Sequence, residues 1–327
     1  MQPANETGFV SERWLCVHRR SRSQKIMMEI KEETIILRPT VLPEVRPTLL
    51  AVFAHPDDES FGPGGTLARY AWSGVAVHLI CATGGEEGTV DAKLLRGYDS
   101  VAALRRAELL RAAEALGLSS VTLLGYRDSG MSGTEANRHP AALINQPRER
   151  VVGQLVRLMR QLRPQVVITF DPIGGYRHPD HIAIHEATVA AFHAAGDPTA
   201  FPEAGSAYAP QKLYYTTFSR RFLRLLVRLM PLFGRDPRAF GRNRDIDLTQ
   251  LVAVDFPTHA RIDTTAVQDR ARAAALAHVS QSAGNPLIRG LLSKVVNLLG
   301  RSDTFMRAYP PATSDVQEDD LFTGVQW

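Results

Sequence analysis

Residues 49–59 read Leu-Leu-Ala-Val-Phe-Ala-His-Pro-Asp-Asp-Glu. An unbroken apolar run of this length fits a fully buried strand, and it stops abruptly at groups that carry or bind charge. The pattern predicts a core strand whose carboxyl end bears His55, Asp57, Asp58 and Glu59, the edge where ligands bind in open α/β sheets. Pro56 fixes its own φ and biases His55 toward an extended backbone, so the side chains of this stiff loop diverge. A second stretch answers the first. Residues 166–170 are Val-Val-Ile-Thr-Phe, followed at 171–181 by Asp-Pro-Ile-Gly-Gly-Tyr-Arg-His-Pro-Asp-His. Two strand ends, each running into a His-Pro-Asp tripeptide, predict one site built from both.

Around these strands, helical and extended patterns alternate. A helix is expected over 62–73, stopped by Gly74, and a strand over 75–82 that opens into Thr83-Gly-Gly-Glu-Glu-Gly88. A helix over 99–116 closes at Gly117, and a strand follows at 121–125. In 148–162 the apolar residues Val151, Val152, Leu155, Leu158, Met159 and Leu162 recur at three- or four-residue spacing, the mark of an amphipathic helix. Pro164 breaks it before the strand at 166–170, and residues 181–195 read as helix again. This alternation predicts an α/β fold, a Rossmann-like three-layer sandwich on a mostly parallel sheet.

The C-terminal third is less regular, with strands expected at 213–218 and 251–255 and a helix over 265–280. Between them lies a basic insert, 218–244. Arg220, Arg224 and Arg228 share a helical face there, with Phe222, Leu225, Leu226 and Leu229 between them. A second apolar segment runs over 287–299. Such helices either cover the core or lie on an anionic membrane surface, and the first is the commoner use. The expected organisation is one domain over 48–327, preceded by a poorly ordered extension at 1–47. That extension is basic, but no apolar h-region follows its arginines, so it does not read as a secretory signal.

Composition narrows the classes. The 327 residues are 44% hydrophobic and 22% charged, with a net charge of +4, an ordinary globular balance. A nucleic-acid binder concentrates its basic residues with aromatics between them, and this chain does not, so no nucleic-acid partner is expected. Two cysteines are too few for a disulfide framework. No apolar run spans a bilayer, and the cytoplasm is the expected location. Oligomeric state is not legible.

The chemistry rests on the two strand ends. Two imidazoles and a carboxylate, His55, His181 and Asp58, are a common protein ligand set for catalytic zinc, and Fe²⁺ suits the same ligands. Asp57, adjacent but diverging, is then placed to take a proton from the metal's water. His178 is positioned to hydrogen-bond an oxyanion or protonate a leaving amine, and Tyr176 offers a further donor. Asp180 is a natural partner for one of the imidazoles. His78, His139, His185, His193 and His259 lack such a setting and are expected to be structural or exposed. His278 is left open.

These residues resemble the PIG-L/LmbE family of zinc-dependent N-deacetylases, on the Ala-His-Pro-Asp-Asp-Glu strand end and the later His-Pro-Asp-His. Gly-Glu-Glu-Gly at 85–88, Arg-Asp-Ser-Gly-Met at 127–131 and Gly-Gly-Tyr-Arg-His-Pro-Asp-His at 174–181 are similar to its mycothiol-pathway branch of deacetylases and amidases. The resemblance implies His55, Asp58 and His181 as metal ligands, Asp57 as general base and His178 as the electrophilic or acid histidine. It further implies that Arg105 and Asp128 contact sugar or inositol hydroxyls and that Tyr176 assists the oxyanion. The expected activity is removal of an N-acetyl group from a glucosamine-type sugar conjugate by attack of a zinc-bound water. The alternatives are an amidase acting on a thiol-sugar conjugate, or a non-catalytic membrane-surface or nucleic-acid binding protein on the same scaffold that uses the basic insert 218–244. Thr89, the N-terminal extension and the basic insert depart from the branch's pattern.

Overall fold

The computed structural model of the chain describes residues 32–37, 46–217, 220–239, 247–252, 254–282, 302–313 and 316–327. In chain order the elements are β1 (Glu33–Ile36), β2 (Thr48–Phe53), α1 (Asp58–Phe61), α2 (Gly64–Trp72), β3 (Ala76–Thr83), α3 (Val101–Leu116) and β4 (Ser120–Tyr126). There follow α4 (Arg148–Leu162), β5 (Val166–Thr169), the short turn α5 (Gly174–Arg177), α6 (Pro179–Ala195) and β6 (Lys212–Thr217). The remainder is α7 (Arg220–Leu229), α8 (Leu248–Leu251), β7 (Ala260–Asp263), α9 (Gln268–Ala277), α10 (Val279–Ser282) and β8 (Ser302–Tyr309).

Among the described residues, eight strands join one sheet in the order β1-β4-β3-β2-β5-β6-β8-β7. The central run from β4 to β6 is parallel throughout, while β1 at one edge and β8 and β7 at the other are antiparallel. The fold is therefore α/β on a mostly parallel sheet. Strand β2 has no exposed residue, as its apolar run requires, and registers Ala51 between Leu79 of β3 and Ile168 of β5. After β2 the chain builds outward through β3 and β4, then returns to place β5 on the other side of β2. The order reverses between β2 and β5, and parallel neighbours leave a crevice at their carboxyl ends at such a point. The loops after those two strands carry the two His-Pro-Asp tripeptides.

Helices α2, α3 and α9 pack together, and α4 packs along α6. Helix α4 buries Val151, Val152, Leu155, Leu158 and Met159, the stripe its spacing predicts. Its Arg160 is buried too. The guanidinium donates to the carbonyls of Ala194, Ala195, Asp197, Ala200, Phe201 and Gly205 at 2.6–3.3 Å, tying the last turn of α6 and the loop after it. Helix α6 carries the site at its other end.

Three expectations change. The strand expected at 251–255 does not form. Leu248 and Leu251 sit three apart on the turn α8, which Asp247 caps through the Thr249 amide at 2.9 Å, and both pack on Met230. The extended segment lies further on, at β7, where Ala260 and Ile262 point in and Arg261 and Asp263 point out. The helix expected over 265–280 is interrupted at His278, between α9 and α10. Edge strand β1 lies within the segment set apart as an extension, and Glu33–Ile36 pair with β4. The apolar segment 287–299 falls outside the described residues, as do 218–219 and 240–244 of the insert. Among the described residues, no helix is long and apolar enough to cross a membrane.

Replacing Arg160 by Leu removes its hydrogen bonds and leaves buried carbonyls unmet, so unfolding free energy should fall by about 3 kcal/mol. Urea denaturation of the two proteins measures this.

Candidate metal centre

The site is best built from its protons. His181 lies in the first turn of α6, and its Nδ1 meets the carbonyl of Gly174 at 3.1 Å. A carbonyl only accepts, so Nδ1 carries the proton and Nε2 presents a lone pair. Gly174 is needed there. Its φ is +63°, and a Cβ would stand 2.7 Å from that of His181. Asp171 folds the loop back by accepting from the amides of Ile173 and Gly175 at 3.0 and 2.9 Å. Phe170 stacks flat on the His181 ring, with centroids 3.9 Å apart.

On the β2 side, His55 turns Nε2 toward two carboxylates, Asp180 Oδ2 at 3.2 Å and Asp128 Oδ1 at 3.5 Å. Its proton belongs on Nε2, which leaves Nδ1 as an acceptor. Asp180 is fully buried and fixed by Ser129, whose amide donates at 2.8 Å and whose hydroxyl also donates to it. Asp128 accepts from the Gly130 amide at 2.8 Å.

The two lone pairs face each other. His55 Nδ1 and His181 Nε2 are 3.0 Å apart, and the carboxyl of Asp58 spans both, Oδ2 at 3.6 Å from the first and Oδ1 at 3.4 Å from the second. Three acceptors thus converge with no donor among them. Ligands bound to zinc at about 2.0–2.2 Å in a tetrahedron stand roughly 3.3 Å from one another, which fits this triangle. Without a cation the cluster calls for a proton instead. Burial opposes charge on His55, but Asp128, Asp180 and Asp58 outweigh it and raise its pKa well above the ordinary value. Burial likewise resists charge on Asp58, yet His181 and His55 hold its carboxyl far below the usual range. His178 stands close by, its ring 4.5 Å from that of His55, and its nitrogen can join alternative donor sets with His55 and either His181 or the two aspartates.

His178 caps α6 and accepts the Asp180 amide at Nδ1, 3.2 Å away. Burial, and then the neighbouring His55 and His181, push its pKa down to about 3. It is therefore neutral with its proton on Nε2, a hydrogen-bond donor rather than a reservoir of acid. Tyr176 lies edge-on to His181 at 4.8 Å and to His178 at 5.9 Å, and burial raises the pKa of its hydroxyl.

Asp57 sits beside the triangle in a strained backbone, with φ of +133°. Such a conformation costs a β-carbon residue about 1–3 kcal/mol and persists only where its surroundings impose it. Here the Asp57 amide donates to Glu59 Oε2 at 3.0 Å. Glu59 Oε1 is held in turn by Ser60 and by His278 Nε2, the latter at 2.7 Å. Arg105, from α3, lies 3.0 Å from Asp57 Oδ2 and donates to the carbonyls of Pro56 and Gly85 at 2.6 and 2.9 Å. Burial raises the Asp57 pKa to about 7, against the opposing pull of Arg105. Asp128 is thus engaged through both oxygens and Arg105 through both terminal nitrogens, while Arg105 Nε is buried without a partner among the described residues.

Sequence reasoning missed Glu59, Glu108, His278 and Ser280 as a unit. Glu108 of α3 accepts from the amide and hydroxyl of Ser280 at 2.8 and 2.6 Å, which seats the chain break that brings His278 onto Glu59. The only signal was the polar His-Val-Ser-Gln at 278–281 interrupting a helical pattern.

Comparison with known proteins adds the following. The family model for GlcNAc-PI de-N-acetylase (PIG-L) matches residues 50–192, from β2 into α6. The chain is 37% identical over 291 residues to the 1D-myo-inositol 2-acetamido-2-deoxy-alpha-D-glucopyranoside deacetylase of Geodermatophilus obscurus, covering 85% of this chain and 97% of that one. It is 38% identical over 244 residues to the deacetylase of the same name from Thermobifida fusca, covering 72% and 83%. Among solved structures, N,N'-diacetylchitobiose deacetylase from Pyrococcus horikoshii superposes with a TM-score of 0.55 at 19% identity, covering 80% and 83%. The 4-carboxy-2-hydroxymuconate hydratase of Pseudomonas putida KT2440 does so with 0.52 at 20%, covering 83% and 99%. One architecture hosts a deacetylase and a hydratase, so the fold alone does not select the reaction.

His278→Ala should lower unfolding free energy by about 3 kcal/mol, because it strands a buried carboxylate without its partner. Lys93→Ala, at an exposed position, should change it by less than about 0.5 kcal/mol. Chemical denaturation of both variants checks the contrast.

Proposed function

The chain belongs to the PIG-L de-N-acetylase family, and from that premise we propose that it is a metal-dependent hydrolase removing the N-acetyl group from a glucosamine-type sugar conjugate. A glucosaminyl-inositol is the first candidate substrate, as the names of its relatives suggest. The observation that carries this reading is the convergence of two imidazole lone pairs and the Asp58 carboxylate, 3.0–3.6 Å apart, beside a strained aspartate.

In this reading His55, Asp58 and His181 hold a divalent cation, and Zn²⁺ and Fe²⁺ both suit that donor set. Such an ion, when bound, lowers the pKa of water from about 16 to about 7 and polarises an amide carbonyl. Asp57 takes the proton of the attacking water. A carboxyl lifted to about 7 by burial is matched to that exchange near neutral pH, and Arg105 keeps it ionised and aimed. His178 gives its Nε2 proton as a hydrogen bond to the amide oxygen while charge develops there, and the Tyr176 hydroxyl is a second donor. Asp57 then returns its proton to the amide nitrogen as the C–N bond breaks, and acetate and the free amine leave. For sugar hydroxyls we keep Asp128, whose Oδ2 meets the Glu87 amide at a long 3.4 Å. Arg105 acts mainly through Asp57. The two helix groups, α2-α3-α9 and α4-α6, are read as the outer layers of a Rossmann-like sandwich.

The test is free-amine release from an N-acetylglucosaminyl-inositol, with metal content measured on the same samples. Asp57→Ala should retain metal and lose turnover by about 10²–10⁴-fold. His55→Ala should lose the metal, and a chelator should abolish activity that added Zn²⁺ or Fe²⁺ restores. Full activity in the chelated protein, or equal metal and equal turnover in both variants, overturns the assignment.

A further inference from the structure

Helix α7 and the turn Met230–Phe233 after it have two unlike sides. The inner side is satisfied. Val227 and Met230 pack with Leu248 and Leu251 of α8, and Tyr176 of the site closes the same cluster. The outer side is not. Leu225, Leu229 and Leu232 are 53%, 39% and 78% exposed, at i, i+4 and i+7 along one ridge. Arg224 and Arg228 flank that ridge and are exposed. Arg224 lies 3.6 Å from Asp255, an ion pair open to water on both sides. Residues 220–235 hold five arginines and no acidic residue.

We propose that this outer face docks the protein on an anionic lipid membrane surface, with Leu225, Leu229 and Leu232 at the acyl boundary and Arg224 and Arg228 against the phosphates. An apolar ridge bordered by arginine is the pattern of helices that lie in the membrane interface. Charge selects this occupant over a second copy of the chain, which would bring one arginine-rich face against another. The three exposed leucines select it over nucleic acid, where contacts run to phosphates and base edges. Because the inner side of the same helix shares with α8 the cluster on which Tyr176 packs, docking sets one wall of the site crevice near the lipid. The inference does not depend on the hydrolytic reading, since the surface stands whether or not the site is active.

The experiment is co-sedimentation of the full chain with vesicles of phosphatidylcholine alone, and of phosphatidylcholine and phosphatidylglycerol at about 7:3. Duplex DNA binding is measured alongside, and circular dichroism checks the fold of each variant. The wild type should bind the anionic vesicles, ignore the neutral ones and be released as salt rises. The triple variant Leu225→Glu, Leu229→Glu, Leu232→Glu should bind at least about tenfold more weakly with its circular dichroism unchanged. The double variant Arg224→Gln, Arg228→Gln should also bind more weakly, and serves if the triple variant misfolds. No vesicle binding by the wild type overturns the proposal. So does a leucine variant that binds as the wild type does, tighter binding to DNA than to vesicles, or a dimer that the leucine changes dissolve.

Discussion

Two histidine nitrogens 3.0 Å apart, each with its proton directed away from the other, form the constraint on which the rest of the site depends. Such a pair is unfavourable unless something positive lies between or beside it, and the surroundings are arranged so that a simple tautomer change does not place a proton between the two nitrogens. The Gly174 carbonyl fixes the proton of His181 on the far side of its ring. Asp180 and Asp128 do the same for His55 with two carboxylates, and Ser129 in turn fixes Asp180. Each supporting bond is an acceptor aimed at a ring nitrogen, and the sum is a donor cluster of the kind that can hold a cation. The β2–β5 crevice supplies the two backbones, because the sheet order reverses there.

The second layer of support comes from the C-terminal third. Asp57 holds a left-handed backbone with its amide captured by Glu59, and the buried Glu59 meets Ser60 and His278, the latter 219 residues away, through its other oxygen. Glu108 and Ser280 fix the chain at that point. Arg105 completes the frame from α3. The span matched by the family model ends at residue 192, before this buttress is reached, yet the conformation of Asp57 depends on it. Glu59 with His278 and Asp57 with Arg105 are paired buried groups, and Glu108 is met by two donors from Ser280, the condition under which ionised groups are tolerated away from water.

The architecture is shared with proteins of different chemistry, a deacetylase and a hydratase among them. What selects a reaction is the character of the groups set on the strand ends. Here these are a cation socket, one carboxyl lifted toward neutrality and one histidine held neutral as a donor. That set suits attack of water on a polarised amide.

Much of this was written in residues 49–59 and 166–181 alone. Apolar runs of strand length set the parallel core, and the residues after them named the groups in the crevice, since a strand's end fixes where its loop residues must go. Local pattern failed where partners were distant. Residues 251–255 looked extended, but Leu248 and Leu251 became a helical turn because Met230 lay ready to cover both. Strand β8 showed no clear alternation, being an edge-side strand ordered by pairing with β6 and β7. The resemblance named Arg105, but not as the clamp on Asp57, and His278, left open by its local pattern, was not legible as the partner of Glu59. Sequence by itself determined that two strand ends carry His55, Asp58 and His181, because adjacency on a stiff loop is local chemistry. Only the tertiary structure decided which proton faces which way and what holds Asp57 in strain, because those depend on groups brought together from opposite ends of the chain.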